Sequence, residues 1–262
     1  MESLAHRIAW TLVGMLGVLT VVRRWSDLRG LGWRTWGLIT VGSVLIAVNW
    51  GVYIGAVMGQ RVVEAALGYY ANPLVSVLLG VLVLGERLRR AQWVAVGLAG
   101  AAVAVLTAAT GRPPWIALVL ALSFGLYGLV KKRVPLGPIP GLTAEGFLLG
   151  PLAIVFLVGL EVAGAGTFAD HGVGHVLLLA AAGPVTALPL LLFAAGARRL
   201  PLATLGVLQY VNPTLQFLWG VLVVGEPMPA SRWVGVALVW AALIVFTADA
   251  LSARERNSRL SP

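Results

Sequence analysis

Cysteine is absent from the 262-residue sequence, and charged residues are scarce. The lack of cysteine excludes a disulfide framework, a thiolate metal site and a cysteine nucleophile. Asp, Glu, Lys and Arg make up 11% of the chain, whereas about a quarter of a typical soluble domain is charged. The sequence also contains no P-loop, no glycine-rich dinucleotide turn and no HExxH motif, which disfavours an ATP-driven pump and an intramembrane zinc protease.

Apolar runs close to the length of a membrane span recur along the whole chain. Hydrophobic residues make up 59% of it, and the mean hydropathy is +0.92. Because a helix needs about 20 apolar residues to cross the hydrocarbon core, the pattern predicts an all-α polytopic membrane protein. We place about nine transmembrane helices at residues 8–22, 36–58, 64–84, 92–109, 114–130, 142–160, 175–197, 204–224 and 232–251.

Basic residues are concentrated in alternate connections between these spans. The net charge is +9, and most arginines and lysines fall in the first, third, fifth and seventh connections and in the C-terminal tail. The fifth connection is taken to include Lys131. Cytoplasmic loops carry an excess of Lys and Arg, so these connections and the C-terminus are predicted to face the cytoplasm. This explains the positive charge without a nucleic-acid partner.

One stretch of the sequence occurs twice. Residues 68–93 read GYYANPLVSVLLGVLVLGERLRRAQW, and from Tyr210 the chain reads YVNPTLQFLWGVLVVGEPMPASRW. The offset between the two Asn-Pro pairs is 212 − 72 = 140, and it holds without a gap. Arginines follow the first Gly-Glu pair closely but not the second, so the two copies are predicted to lie in opposite orientations. An inverted-topology repeat of this kind is typical of secondary transporters, which bind substrate near the midplane.

The same offset leaves the first repeat one helix short. The span at 114–130 would have its counterpart before Met1. We therefore expect an N-terminal repeat at 1–112 that lacks its first helix, a C-terminal repeat at 113–252 and a basic cytoplasmic tail at 253–262. This organisation corresponds to two inverted-topology repeats of five helices, of which only the N-terminal repeat lacks its first helix. The alternative is a true nine-helix protein.

Several segments resemble a known family. They read SLAHRIAW from Ser3, EAALGYYANPL from Glu64, LGERLRRAQW from Leu84, SFGLYGLVKK from Ser123 and TLGVLQYVNPT from Thr204. Together they resemble the EamA branch of the drug/metabolite transporter superfamily, and within it the RarD-type group. The resemblance covers nearly the whole chain. It implies ten helices arranged as two inverted repeats in the bacterial cytoplasmic (inner) membrane.

Polar and aromatic residues at mid-depth in the spans are candidates for a substrate-binding site. Such side chains suit an amphiphilic organic ligand, although the same groups often only hydrogen-bond between helices. Pro73 and Pro213 each free a backbone carbonyl four residues earlier, so they are candidate hinges or simple packing kinks. Both interpretations stay open for the substrate-binding candidates, which are Asn49, Trp50, Tyr53, Tyr69, Asn72, Tyr127, Gln209, Tyr210 and Asn212.

Ionisable residues in the spans are candidates for coupling to an ion gradient, because a charge near the bilayer centre costs at least about 2.5 kcal/mol. Arg7, Glu64 and Glu145 qualify, and Arg7 and Glu145 are a candidate pair. Glu86, by contrast, ends a span directly after Gly85. Glycine is a common helix C-cap, so a structural role is expected for Glu86. No catalytic residue, metal site or cofactor is predicted.

The sequence favours a secondary transporter, a permease or exporter, that moves a small organic solute by alternating access. Its predicted partners are a drug or metabolite, a coupling proton or an exchanged solute, and the lipid bilayer. One alternative is an intramembrane enzyme that modifies lipid, for which only His6, Glu64 and Glu145 are available. The other is a non-transporting, truncated membrane protein. The scarcity of acid and base groups leads us to predict that the chain is not an enzyme.

Overall fold

The computed structural model describes residues 2–59, 61–110, 115–168, 172–219, 222 and 230–259. All regular secondary structure in these ranges is helical, including a short 3-10 helix at Trp25–Leu28. The α-helices are α1 (Glu2–Val21), α2 (Trp33–Met58), α3 (Val62–Leu84), α4 (Arg90–Thr110), α5 (Trp115–Arg133), α6 (Pro138–Val162), α7 (Gly172–Arg199), α8 (Leu202–Leu208), α9 (Val211–Trp219) and α10 (Ala230–Arg259).

Six of the described helices are long and apolar enough to cross a membrane: α1, α2, α4, α5, α6 and α7. Shorter apolar stretches occur within α3 and α10. α8 and α9 together occupy one predicted span, 204–224, so the described α-helices correspond to the nine predicted spans. The prediction of an all-α polytopic protein is thereby confirmed.

Several helices extend beyond the predicted spans. α1 begins at Glu2 rather than at residue 8, and α6 begins at Pro138 rather than at residue 142. Hydropathy marks only the part of a helix that is apolar, whereas hydrogen bonding continues into its polar ends. Proline suits the first turn of a helix because no N–H is needed there. α5 likewise continues to Arg133, so the assignment of Lys131 to a connecting loop is wrong.

The chain forms two compact units, and each contains residues from both halves of the sequence. Unit 1 consists of Met1–Ile54 and Leu126–Arg199, and unit 2 consists of Gly55–Gly125 and Leu200–Pro262. In unit 1, α1 packs against α6 and α7, and α6 also packs against α7. In unit 2, α3 packs against α4, α8 and α9, and α4 packs against α10.

The helix bounds follow the offset of the sequence repeat. Adding 140 to the bounds of α4, 90–110, gives 230–250, which lies within α10. The same addition to α2, 33–58, gives 173–198, which falls within α7. Each unit thus combines helices from both predicted repeats. The repeat boundaries at 112 and 252 stay a prediction.

Glycines allow close helix packing in unit 1. A Cβ added at Gly183 of α7 would collide with the backbone of Trp10, and one at Gly150 of α6 would collide with the Leu12 side chain. The Thr11 hydroxyl donates a hydrogen bond to the Gly183 carbonyl at 3.3 Å. Small residues with interhelical hydrogen bonds are the usual means of packing helices in a membrane.

The core of unit 2 is built around the first Asn-Pro motif and α10. Ala102 of α4, Tyr210 and Val239 of α10 belong to one buried cluster. α3 and α8 approach each other closely at Gly206, where an added Cβ would lie 2.8 Å from the Pro73 carbonyl oxygen. The backbone around Pro73 therefore lies against α8.

Candidate functional site

A helix break in unit 2 lies at Gln209 and Tyr210, between α8 and α9. The Tyr210 N–H donates to the carbonyl of Val207, and the Asn212 N–H donates to that of Gln209, both at 3.1 Å. Pro213 has no N–H to offer the Gln209 carbonyl. The carbonyl that Pro213 frees is therefore satisfied by a tighter, three-residue turn.

Asn72 of α3 contacts this break. Its amide nitrogen donates to the Gln209 side-chain oxygen at 2.6 Å, and 7% of Asn72 is exposed. The other polar atoms of the two amides, Asn72 Oδ1 and Gln209 Nε2, are buried and make no hydrogen bond within the described part of the chain. A buried polar atom without a partner costs about 1–3 kcal/mol. The pair can thus offer one acceptor and one donor to a third group.

Tyr210 lies in the same break and binds its own counterpart in the repeat. Its hydroxyl donates to the Tyr70 carbonyl at 3.1 Å, and 210 − 70 = 140 is the repeat offset. If a two-fold axis relates the two copies, as the sequence repeat predicts, a contact between equivalent positions lies close to that axis. Near such an axis, inverted-repeat transporters bind their substrate. Asn72, Gln209 and Tyr210 are therefore three predicted residues that the structure brings together.

The other candidates of unit 2 differ in their surroundings. Tyr69 is half-buried, whereas Asn212 is exposed, so the two Asn-Pro motifs are not in equivalent environments. α3 is continuous through Pro73, whereas Pro213 follows the helix break. Glu64 belongs to the first turn of α3, and its side chain lies outside the described residues.

A second group of candidates lies on α2 in unit 1. Asn49 is buried, and Trp50 and Tyr53 are half-buried. The guanidinium carbon of Arg7 lies 5.8 Å from the centre of the Trp50 ring, within the range of a cation–π contact. Arg7 thus has an aromatic neighbour, and the candidate ion pair between Arg7 and Glu145 is not formed.

Glu145 of α6 pairs instead with Lys131 of α5. The Lys131 ammonium nitrogen lies 2.7 Å from Glu145 Oε1, and the Tyr127 hydroxyl donates to Oε2 at 3.1 Å. The exposed fractions are 4% for Glu145, 5% for Lys131 and 0% for Tyr127. Tyr127 and Lys131 are four residues apart on α5 and share a face of that helix. Unit 1 therefore contains a buried, internally paired charge between two spanning helices.

Two cavities of unit 1 share Glu145 in their walls. The first is also lined by Lys131 and Arg198, and it lies where α5 and α7 end and α6 begins. The second is lined by Thr11 and Trp50 and otherwise mainly by aliphatic side chains. Glu145 thus lines both a basic cavity and a mainly apolar one.

Glu86 links the end of α3 to the start of α8. Its carboxylate oxygens accept hydrogen bonds from the N–H groups of Leu202 and Ala203 at 2.6 and 2.9 Å. The first N–H groups of a helix have no partner within the helix and favour a negative charge. Gly85, with φ of 67°, is the left-handed C-cap of α3. Glu86 is thus an interhelical cap.

Sequence reasoning missed Lys131, and for Tyr70 it did not predict which atom takes part. Lys131 begins a run of three basic residues, which suggested a loop, and its spacing of four from Tyr127 was the signal for a shared helix face. Tyr70 takes part through its backbone carbonyl, which no side-chain pattern reveals. Its distance of 140 residues from Tyr210 was the available signal.

Several known proteins are similar to this chain in sequence and fold. The model of the EamA-like transporter family matches residues 1–108. The chain is 53% identical to "Protein RarD" of Streptomyces exfoliatus, over 99% of this chain and 83% of that protein. It is 48% identical to "Uncharacterized transporter YojE" of Bacillus subtilis (strain 168), over 94% of this chain and 84% of that protein.

A solved crystal structure has the same fold. It matches with a TM-score of 0.66 and covers 94% of this chain and 89% of that chain. Its sequence is 22% identical, so the likeness concerns the fold alone.

The fold and the relatives define a multi-pass membrane protein of the drug/metabolite transporter type. The chain belongs to the EamA-like transporter family, as a RarD-type member. This family membership points to a transporter rather than an enzyme.

Proposed function

We propose that the protein is a secondary transporter that moves a small organic solute across the bacterial cytoplasmic membrane by alternating access. One observation carries the proposal: Asn72 contacts the helix break at Gln209 and Tyr210, beside the axis between the repeats. Interrupted helices at a repeat interface form the substrate site in many secondary transporters. Irregular backbone at membrane depth is tolerated where it is buried in protein or lines a water-filled cavity.

The two amide atoms without a hydrogen bond among the described residues indicate which hydrogen-bonding groups the solute carries. Asn72 Oδ1 can accept a hydrogen bond, and Gln209 Nε2 can donate one. In surroundings of low dielectric, a polar ligand binds well only if every hydrogen bond that it loses to water is replaced. We therefore propose a solute with a donor and an acceptor close together, as in an amide or a hydroxy-carbonyl group.

Uptake into proteoliposomes tests this site. A panel of organic acids, amines, amides and nucleosides is offered under ion gradients, and accumulation is measured by mass spectrometry. Replacing both amides, Asn72→Leu with Gln209→Met, keeps their approximate volume but removes their hydrogen bonds. We expect the double variant to fall to the level of empty liposomes. Ser123→Ala is the matched control, because Ser123 is also buried in unit 2 but donates within its own helix.

The two possible failures can be told apart. Undiminished uptake by the Asn72 and Gln209 double variant would contradict the proposed binding site but not the proposed transport function. If no compound of the panel accumulates in wild-type liposomes under any gradient, transport itself is contradicted. Size-exclusion chromatography and circular dichroism verify that both variants are folded.

We further propose a proton as the coupling ion and Glu145 as the residue that carries it. A carboxylate buried in a spanning helix is a default candidate for coupling, and Lys131 and Tyr127 both bind it. Arg7 and Glu64 stay weaker candidates. The liposomes of the uptake assay provide the measurement, since accumulation that is indifferent to a pH gradient would contradict proton coupling.

The proposed orientation places the basic connections and the C-terminus in the cytoplasm. Arg89, in the basic connection after α3, pairs with Asp249 of α10 at 3.0 Å. This connection and the C-terminal part of α10 therefore lie at the same end of unit 2. Since cytoplasmic ends carry the excess of Lys and Arg, the contact supports a cytoplasmic C-terminus.

A further inference from the structure

Glu145 lines two cavities of unit 1. We propose that Lys131 and Glu145 form a gate between these cavities, which their ion pair closes and to which Tyr127 adds a hydrogen bond. The inference rests on the proposed transport function. It adds Lys131 as a gate residue and gives Glu145 a mechanical role.

The position of the gate follows from the helices that carry it. Glu145 is seven residues after Pro138 (145 − 138 = 7), where α6 begins, so it lies about 10 Å along that helix. Lys131 belongs to the last turn of α5. The ion pair thus joins the end of α5 to a point about two turns into α6. Arg198 lines one of the two cavities that Glu145 also lines, and Trp50 lines the other.

Burial makes each charge dependent on the other. A charged group that leaves water is tolerated only with a partner, and removing one partner strands the other. The side chains of Lys131 and Glu145 are almost completely buried. As long as both groups are charged, they are therefore stable either as a closed pair or apart and hydrated. Separation requires water to enter from an adjoining cavity, so the pair and the opening of that cavity are linked.

α2 lies close against the closed pair. A Cβ added at Gly42 would lie 3.1 Å from Glu145 Oε1 and 3.4 Å from a Val130 methyl group. The absence of a side chain at Gly42 lets α2 approach the carboxylate. Contacts from α2 and α5 thus leave little room beside Glu145 while the pair is intact.

Cysteine labelling tests the gate without any solute. The natural sequence contains no cysteine, so one introduced thiol reports alone. Ala194 of α7 lines the basic cavity and is 3% exposed. We measure how fast a polar maleimide labels Ala194→Cys in protein purified into nanodiscs. Glu145→Gln and Lys131→Gln should each raise this labelling rate about tenfold or more. Without the ion pair, opening of the gate costs less free energy, so the open state is populated more often.

Two controls separate a gate from a general weakening of the fold. Reversing the pair, Lys131→Glu with Glu145→Lys, keeps both charges and should return the rate to within about threefold of the parent. Ala102→Cys, in the core of unit 2, is fully buried. Its labelling should stay equally slow in every variant.

Three results would overturn the gate. The first is an unchanged Ala194→Cys rate in both single variants. The second is a parallel rise at Ala102→Cys, and the third is a reversed pair that labels as fast as the single variants. In the last two cases the ion pair only stabilises the fold. Because labelling needs neither solute nor gradient, this experiment can fail while uptake succeeds, and the reverse also holds.

Discussion

The side chain of Glu86 connects the end of α3 to the start of α8. The residue lies just after α3, and its carboxylate binds the first N–H groups of α8. The carboxylate lies against Gly80, where an added Cβ would be 2.6 Å from Oε2. Hydrogen bonds to an ionised group are about twice as strong as neutral ones, so Glu86 should contribute measurably to stability.

We expect Glu86→Ala to destabilise the protein by about 1–2 kcal/mol, because two N–H groups of α8 lose their acceptor. The measurement is thermal unfolding in detergent, followed by circular dichroism. Arg87→Ala is the control, since Arg87 is the exposed neighbour of Glu86. Equal melting temperatures for the two variants would show that the hydrogen bonds of Glu86 to α8 do not stabilise the protein.

At the residue scale, the structure brings predicted candidates together in both units, although the sequence did not predict which contacts form. Asn72, Gln209 and Tyr210 were chosen for their depth in the spans, and the structure brings them together. The burial of Lys131 could not be foreseen in the same way. Whether a basic residue near a helix end is hydrated or paired depends on which helix lies beside it, and α6 supplies Glu145 through tertiary packing.

At the scale of elements, one motif takes two forms. The first Asn-Pro pair lies within a continuous α3, whereas the second follows the break between α8 and α9. Hydropathy cannot distinguish them, because both stretches are similarly apolar. The difference lies in the local hydrogen bonds, in which the N–H groups of Tyr210 and Asn212 bind carbonyls three residues earlier.

The contact of α3 with α8 leads to a prediction for Gly206→Ala. The new methyl group would lie 2.8 Å from the Pro73 carbonyl oxygen and 2.9 Å from the Ser76 Cβ, so the helices must separate. We expect a loss of about 1–3 kcal/mol in the free energy of unfolding, together with reduced uptake because Asn72 and Gln209 move apart. Denaturant unfolding and the proteoliposome assay measure the two effects.

Gly97→Ala provides the comparison for this substitution. Gly97 lies on α4 in the same unit, and apart from its chain neighbours and the nearby backbone of α4, no atom of the described residues lies within 4 Å of its Cβ position. Alanine is the better helix former there, by about 1 kcal/mol, so this variant should be neutral or more stable. The close packing of α3 on α8 would be refuted by a Gly206→Ala variant as stable as Gly97→Ala.

At the scale of the whole molecule, the sequence predicted the membrane architecture from two patterns. Apolar length predicted the spans, which the described helices confirm. The direction that the alternation of basic residues predicts stays a prediction. The division into two units could not be predicted, because it cuts across the repeats. Span detection identifies helices one at a time, whereas the choice of packing partners depends on shape, as with Gly183 against Trp10.

The orientation can be tested with fusions to the whole chain. A green fluorescent protein fused after Pro262 should fluoresce, and alkaline phosphatase fused there should be inactive, because the C-terminus is proposed to face the cytoplasm. Alkaline phosphatase inserted after Gly164, between α6 and α7, should be active. The opposite pattern of activities would invert the proposed topology.

The hydrogen bond from Tyr210 to Tyr70 joins positions that the repeat makes equivalent. A hydrogen bond has a donor and an acceptor, so two equivalent partners cannot have the same role in it. The pseudo-symmetry of unit 2 is therefore broken at its own centre, with the C-terminal repeat as donor and the N-terminal repeat as acceptor. If the two repeats exchanged conformations, donor and acceptor would change places, so the direction of this single bond distinguishes the two exchanged arrangements.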